Sequence, residues 1–150
     1  MKPFIVLIAA FTLTLLGLKL IQGNYDFKLA GRTAMAVMLI FTAFGHFAFA
    51  DGMTMMLPNF IPFKKTIVLL TGIIEIAAAI GLFVPSMQQL IGWLLILFFI
   101  LILPANIYAA LHQIDYQKGT LDGPGINYLW FRIPLQVLFI FWVYFSAISK

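Results

Sequence analysis

The chain contains no cysteine, and only 9% of its 150 residues are charged. The missing thiols exclude disulfides, thiol catalysis, CxxC redox relays and cysteine-ligated metals. Soluble domains carry about 25% charged residues, so the scarcity of charge excludes an ordinary soluble domain. Hydrophobic residues make up 63% of the chain. This composition is that of an integral membrane protein.

Charge of either sign is sparse, and no basic patch with interleaved aromatic residues is present. The net charge of +4 comes from Lys and Arg residues at the ends of apolar runs, an arrangement that suits anionic lipid headgroups. We therefore exclude nucleic acid as a partner. The sequence also lacks a nucleotide-binding loop, a nucleophile motif and a haem signature. With only two histidines, His46 and His112, we predict no metal site.

Five apolar runs predict an all-α, polytopic bundle of transmembrane helices in a single domain. The helices are expected at about 3–21, 30–50, 66–84, 90–111 and 128–147. The first run could be a signal peptide, but no small-x-small cleavage site follows it, which favours an uncleaved first membrane helix. We call the membrane face at which this run begins side A, and the opposite face side B.

The segment 51–65, DGMTMMLPNFIPFKK, is irregular yet apolar. Pro58 and Pro62 disrupt regular helix. The segment is either an interfacial or short re-entrant element over the end of the bundle, or a short amphipathic surface turn.

The apolar runs are interrupted by five polar residues: His46, Glu75, Asn106, Arg132 and Gln136. A charged side chain within a bilayer costs a few kcal/mol even on lenient insertion scales, so it is rarely present without a partner or a task. Because successive helices reverse direction, all five positions fall between the midplane and side A. They are therefore our candidate ligand-binding residues.

Each of these residues also has a structural explanation. Glu75 could be a neutral carboxyl group or the ion-pair partner of Arg132, which could instead extend to the headgroups. His46, Asn106 and Gln136 could simply make hydrogen bonds between packed helices. No catalytic residue can be named from the sequence, and whether the protein is an enzyme stays open.

The face of the third run that carries Glu75 is lined by small residues. They are Thr71, Gly72, Ala78 and Ala79. Small residues allow close helix approach, so we expect this face to contact another helix.

Five sequence segments together resemble the DoxX-like family of small bacterial membrane proteins. They are FTAFGHFAF, LPNFIP, TGIIEIAAAIGLFVP, LPANIYAALH and FRIPLQVLFIFWVYF, and the resemblance covers residues 32–146. It implies a four-helix core preceded by one additional N-terminal transmembrane helix. It also implies a multi-pass protein of the bacterial inner membrane, with side A facing the periplasm.

Through the family's association with membrane redox complexes, the resemblance implies a quinone-associated oxidoreductase subunit. No covalently bound cofactor is implied, and quinone is the candidate cofactor. The candidate partners are the lipid bilayer, a redox subunit and a second copy of the chain. Two other functions stay open: a module that binds or transports a small hydrophobic or lipid-like molecule, and an assembly subunit without its own activity.

Overall fold

The computed structural model describes residues 2–149, which form helices and short helical turns without a β-strand. The helices are α1 (Lys2–Gln22), α2 (Phe27–Ala48), α3 (Ala50–Thr54), α4 (Lys64–Gly81), α5 (Gln88–Leu111) and α6 (Leu129–Val143). A 3₁₀ turn, Gly125–Tyr128, precedes α6, and a π-helical turn, Tyr144–Ile148, follows it.

Four helical segments within residues 2–149 are long and apolar enough to cross a membrane. They are α1, α2, α5 and the continuous segment Gly125–Ile148 that contains α6. The prediction of an all-helical membrane protein is confirmed at this level. The remaining predicted span, the third at about 66–84, corresponds to α4, which forms but is not among these four segments. Its 18 residues include three charged residues, Lys64, Lys65 and Glu75, which sets it apart from the four segments.

Two helix boundaries differ from the prediction for identifiable reasons. The helix α2 begins at Phe27 rather than near residue 30 because Asp26 caps it, with its carboxylate accepting from the Leu29 amide at 2.8 Å. Such a bond satisfies one of the free N–H groups of a first helical turn. The helix α4 ends at Gly81 rather than near residue 84 because its last turn tightens: the Phe83 and Val84 amides donate to the Ile80 and Gly81 carbonyls, each at 3.1 Å, in place of i→i+4 bonds.

The core lies where α1, α2, α4, α5 and the C-terminal helix meet. Helix α1 packs on α2, α2 packs on α4, and α5 packs on α6. The largest fully buried side chains come from all of these segments and are Leu7, Met35, Met38, Leu39, Leu82, Leu95 and Val143. The outward faces are rich in exposed leucine, isoleucine and phenylalanine, as expected for a surface that faces lipid.

The helices α2 and α4 approach closely at Gly72. A Cβ atom at this position would lie 2.9 Å from the Cβ of His46. Gly72, Ala78 and Ala79 are all buried, which agrees with the prediction that this face of α4 contacts another helix. Gly72 therefore fixes the distance between the two helices that carry His46 and Glu75.

The irregular segment 51–65 lies over the side-A end of α4. Its first residues belong to α3, which packs on α4. Helix α3 also lies close to the 112–124 loop: a Cβ atom on Gly52 would be only 2.0 Å from the Tyr116 carbonyl oxygen. Phe60 and Phe63 are highly exposed. Phe63 adopts a positive φ of 52° immediately before α4.

Candidate functional site

The structure places His46 of α2 beside Glu75 of α4. The Nε2 atom of His46 lies 3.7 Å from the Oε2 atom of Glu75. Glu75 is buried, whereas the His46 side chain retains 19% of its accessible surface. Two of the five predicted residues therefore form a pair, near the side-A end of α2 and the middle of α4.

Hydrogen bonding fixes the orientation of the His46 ring. Its Nδ1 atom lies 3.1 Å from the Val68 carbonyl oxygen and 3.0 Å from the Thr71 hydroxyl. A carbonyl oxygen can only accept, so Nδ1 is the nitrogen that carries the proton. The Nε2 atom consequently faces the Glu75 carboxyl group. A proton shared by the two residues can be carried either by His46 Nε2 or by Glu75.

Two threonines contribute to the pair although the sequence did not identify them as site residues. Thr71 contacts the His46 ring and donates to the Val68 carbonyl at 2.7 Å. Thr42 lies near the Glu75 carboxyl group, and its hydroxyl donates to the Leu39 carbonyl at 3.0 Å. Thr71 precedes Glu75 by four residues, and Thr42 precedes His46 by four. This helical spacing was the signal that could have identified them.

Arg132, at the start of α6, is the third member of the cluster. It is close enough for its positive charge to influence the Glu75 carboxyl group and the phenol of Tyr116 in the 112–124 loop, which we call the covering loop. Burial raises the pKa of Tyr116, as does the neighbouring Tyr128, whereas Arg132 acts in the opposite direction. Arg132 therefore lies near both the buried pair and the covering loop.

Two buried polar atoms of this cluster lack a hydrogen-bond partner among residues 2–149. They are the Oε2 atom of Glu75 and the Nε atom of Arg132. An unpaired polar atom away from water costs about 1–3 kcal/mol, and more when the group is charged. One acceptor and one donor thus remain available to a bound molecule.

Asn106 and Gln136 are buried, as predicted, but both side-chain amides donate to backbone carbonyls of α5. The Asn106 amide donates to the Ile102 carbonyl in the same helix at 3.1 Å. The Gln136 amide donates across to the Phe99 carbonyl. Gln136 therefore joins α6 to α5. Asn106 instead provides a hydrogen bond to the Ile102 carbonyl, two residues before Pro104.

A separate groove of about 280 Å³ opens at side A between α3, the end of α5 and the covering loop. Its polar wall residues include Asn59, Lys64, Tyr108 and His112, and none of the five predicted residues lines it. Among residues 2–149, no three His, Asp or Glu side chains come together in a way that could hold a metal ion.

The fold and the cluster define a class: an all-helical integral membrane protein with a polar cluster between its packed helices. The chain belongs to a family described as a domain of unknown function, DUF8561, which matches residues 35–147. This match begins within α2 and therefore leaves α1 outside. No curated protein and no solved structure matches the chain.

Proposed function

We propose that the protein binds the head group of a quinone at the His46, Glu75 and Arg132 cluster and serves as a subunit of a membrane redox complex. The observation that supports this most is the pair of unpartnered buried atoms, Glu75 Oε2 and Arg132 Nε. A quinone head group carries carbonyl oxygens that accept from a donor and take up protons on reduction. The DoxX-like sequence segments support the same function and a bacterial inner membrane location.

The residues present fit such a head group. The Arg132 Nε–H would donate to a carbonyl oxygen and so orient the ring. His46 Nε2 and Glu75 Oε2, 3.7 Å apart, would hold and exchange the proton at that end of the ligand. A bound quinone supplies the electron-accepting chemistry, and a partner subunit would supply the electrons.

A purely structural cluster explains the geometry less well. Polar residues that only join helices have their hydrogen bonds satisfied, as Gln136 does through the Phe99 carbonyl. Glu75 and Arg132 instead retain unpaired atoms within the described chain. This contrast favours a binding role for the cluster around Glu75 and a packing role for Gln136.

Quinone content of the purified protein tests the proposal. After purification in mild detergent, solvent extraction and chromatography should recover quinone at close to one molecule per chain. Glu75→Gln should lose most of it. The matched control Asp51→Asn makes the same carboxylate-to-amide change at an exposed position and should retain it.

A second variant separates binding from folding. Arg132→Lys keeps the positive charge but removes the Nε donor, so it should lower quinone content while the unfolding midpoint stays near that of the wild type. Absence of quinone from the wild-type protein, with unchanged quinone reduction by membranes of Glu75→Gln cells, would exclude the proposed function.

A further inference from the structure

A second site candidate lies near side B, at the opposite end of the bundle from the Glu75 cluster. It is an apolar groove of about 730 Å³ between α1, α2 and the C-terminal helix, which we call the side-B groove. Its walls include Phe11, Phe141, Trp142 and Phe145, and Lys28 stands at its edge. This volume falls within the range of about 300–1,000 Å³ that is typical of small-molecule sites.

The walls of the side-B groove are held in place by contacts between distant parts of the chain. The indole Nε1–H of Trp142 donates to the Gly31 carbonyl at 3.0 Å, and its ring packs edge-on against Phe11 with centroids 5.0 Å apart. A Cβ on Gly31 would lie 2.8 Å from the Cβ of Ser146. The groove is therefore a built feature of the fold.

Two basic side chains near side B, Lys28 and Arg32, have N–H groups that remain free to donate a further hydrogen bond. The Nζ atom of Lys28 donates to the Ser149 carbonyl at 2.8 Å, and Arg32 donates to the Ser146 carbonyl at 3.3 Å. The Nε atom of Arg32 is buried and has no hydrogen-bond partner in the described part of the chain. An ammonium group has three donors and a guanidinium has five, so both side chains can bind a further acceptor.

The geometry points to an anionic phospholipid as the occupant of the side-B groove, with an acyl chain along its aromatic wall and its phosphate at Lys28 and Arg32. Basic pockets between membrane helices bind anionic lipid headgroups in this manner. Lys28 lines the groove, whereas Arg32 follows the wall residue Gly31 and lies one helical turn deeper than Lys28 on α2. A phosphate at the end of the groove could therefore contact both side chains. This inference is independent of the quinone proposal.

Charge complementarity argues against a second copy of the chain as the occupant. The sequence has five acidic residues: Asp26, Asp51, Glu75, Asp115 and Asp122. Asp51, Asp115 and Asp122 lie on side-A segments, and Glu75 is buried. In a neighbouring copy with the same orientation, only Asp26 would be near side B, and its carboxylate already caps α2. A second copy therefore offers no free acidic side chain to Lys28 and Arg32, which favours a lipid phosphate as their anionic partner.

Lipid binding by the full-length protein in mild detergent tests the assignment. Phosphatidylglycerol should raise the unfolding midpoint and appear as a one-lipid adduct in native mass spectrometry, and phosphatidylcholine with the same acyl chains should do neither. Lys28→Gln combined with Arg32→Gln should weaken phosphatidylglycerol binding about twenty-five-fold, since each basic residue near the headgroup contributes about fivefold. The control pair, Lys2→Gln with Lys118→Gln, removes the same charge at side A and should bind normally.

A second variant addresses the groove without changing charge. Val137→Trp places a large side chain in the side-B groove and should reduce lipid binding, whereas Leu101→Trp adds the same ring to an exposed position on α5 and should not. Equal stabilisation by both lipids, or undiminished binding by the Lys28 and Arg32 double variant, would overturn the inference. So would a dimer that carries no lipid and dissociates on Val137→Trp.

Discussion

At the scale of single residues, Gly72 controls the contact between α2 and α4. An alanine at this position would bring its Cβ to 2.9 Å from the Cβ of His46 and 3.2 Å from the Phe47 ring. Overpacking of this kind costs about 1–3 kcal/mol. We expect Gly72→Ala to lower the free energy of unfolding by this amount, measured by circular dichroism during SDS titration in micelles.

Gly17 provides the control for this substitution. It also lies within a helix, but a Cβ there would have no atom within 4 Å, so Gly17→Ala should cause no loss. If Gly72→Ala unfolds at the same SDS concentration as the wild type, then α2 and α4 are not held as closely as the structure shows.

Gln136 makes a different contribution, because its amide joins two helices. Replacement by methionine keeps the length of the side chain and removes the donor to the Phe99 carbonyl. Hydrogen bonds between membrane helices contribute about 0.6 kcal/mol on average and up to about 1.7 kcal/mol. Gln136→Met should therefore destabilise the bundle by about 1 kcal/mol in the same SDS titration.

Gln89 lies exposed at the start of α5, so Gln89→Met should be neutral. A Gln136→Met protein that lost quinone while remaining as stable as the wild type would contradict the packing role and place Gln136 in the binding site.

His46 and Glu75 could be selected as candidate site residues because polar groups are rare in apolar runs and therefore conspicuous, and the structure places them side by side. For Gln136, the structure shows the alternative that the sequence offered, a hydrogen bond between packed helices. The specific partners of Asn106 and Gln136 could not be predicted, since they are backbone carbonyls, which every residue carries and no sequence pattern marks. Thr42 was not singled out, and Thr71 was identified only as a small residue on the Glu75 face, because a threonine is common in membrane helices. Only their helical spacing from the pair distinguishes them.

At the scale of the helix, Asp26 determines where α2 begins. Its carboxylate accepts from the Leu29 amide at 2.8 Å, and loss of an N-cap costs about 0.5–2 kcal/mol. Asp26→Ala should lower stability within this range, and Asp26→Asn should restore most of it because asparagine caps nearly as well. Unfolding in SDS measures both. Equal destabilisation by the alanine and asparagine variants would show that the charge, rather than the cap, matters.

The apolar runs predicted every long helix, because a membrane helix must be continuously apolar over its length. The short α3 could not be predicted, since it is stabilised by its approach to the 112–124 loop through Gly52 and Tyr116. The side-B groove likewise depends on contacts such as that between Lys28 and Ser149, which are 121 residues apart. Contacts at this separation leave no local pattern.

At the scale of the whole molecule, the two proposed binding sites lie at opposite ends of the helical bundle. The quinone cluster proposed around Glu75 lies towards side A, below the covering loop, and the cations of the side-B groove lie at the other end. Loss of binding at one end should therefore leave the other end unaffected. A Glu75→Gln protein should still bind phosphatidylglycerol, and the Lys28 and Arg32 double variant should still carry quinone.

The path of α4 determines how the chain is threaded through the membrane. Its 18 residues span about 27 Å at 1.5 Å per residue, close to the hydrocarbon thickness of about 30 Å. It also packs along α2: Gly72 contacts His46, and Ala79 shares a buried cluster with Met35. We therefore expect α4 to cross the bilayer although it carries more charge than the other long helices.

Single cysteines introduced into this cysteine-free chain test that crossing. If α4 spans the bilayer, then Asn24→Cys and Ser86→Cys, both exposed between helices, should react with an impermeant maleimide from the same side of sealed vesicles. Lys118→Cys, in the covering loop, should react only from the other side. If α4 instead returned to side A, Ser86→Cys would be labelled from the side opposite Asn24→Cys. The proposed position of Glu75 within the bilayer would then be wrong.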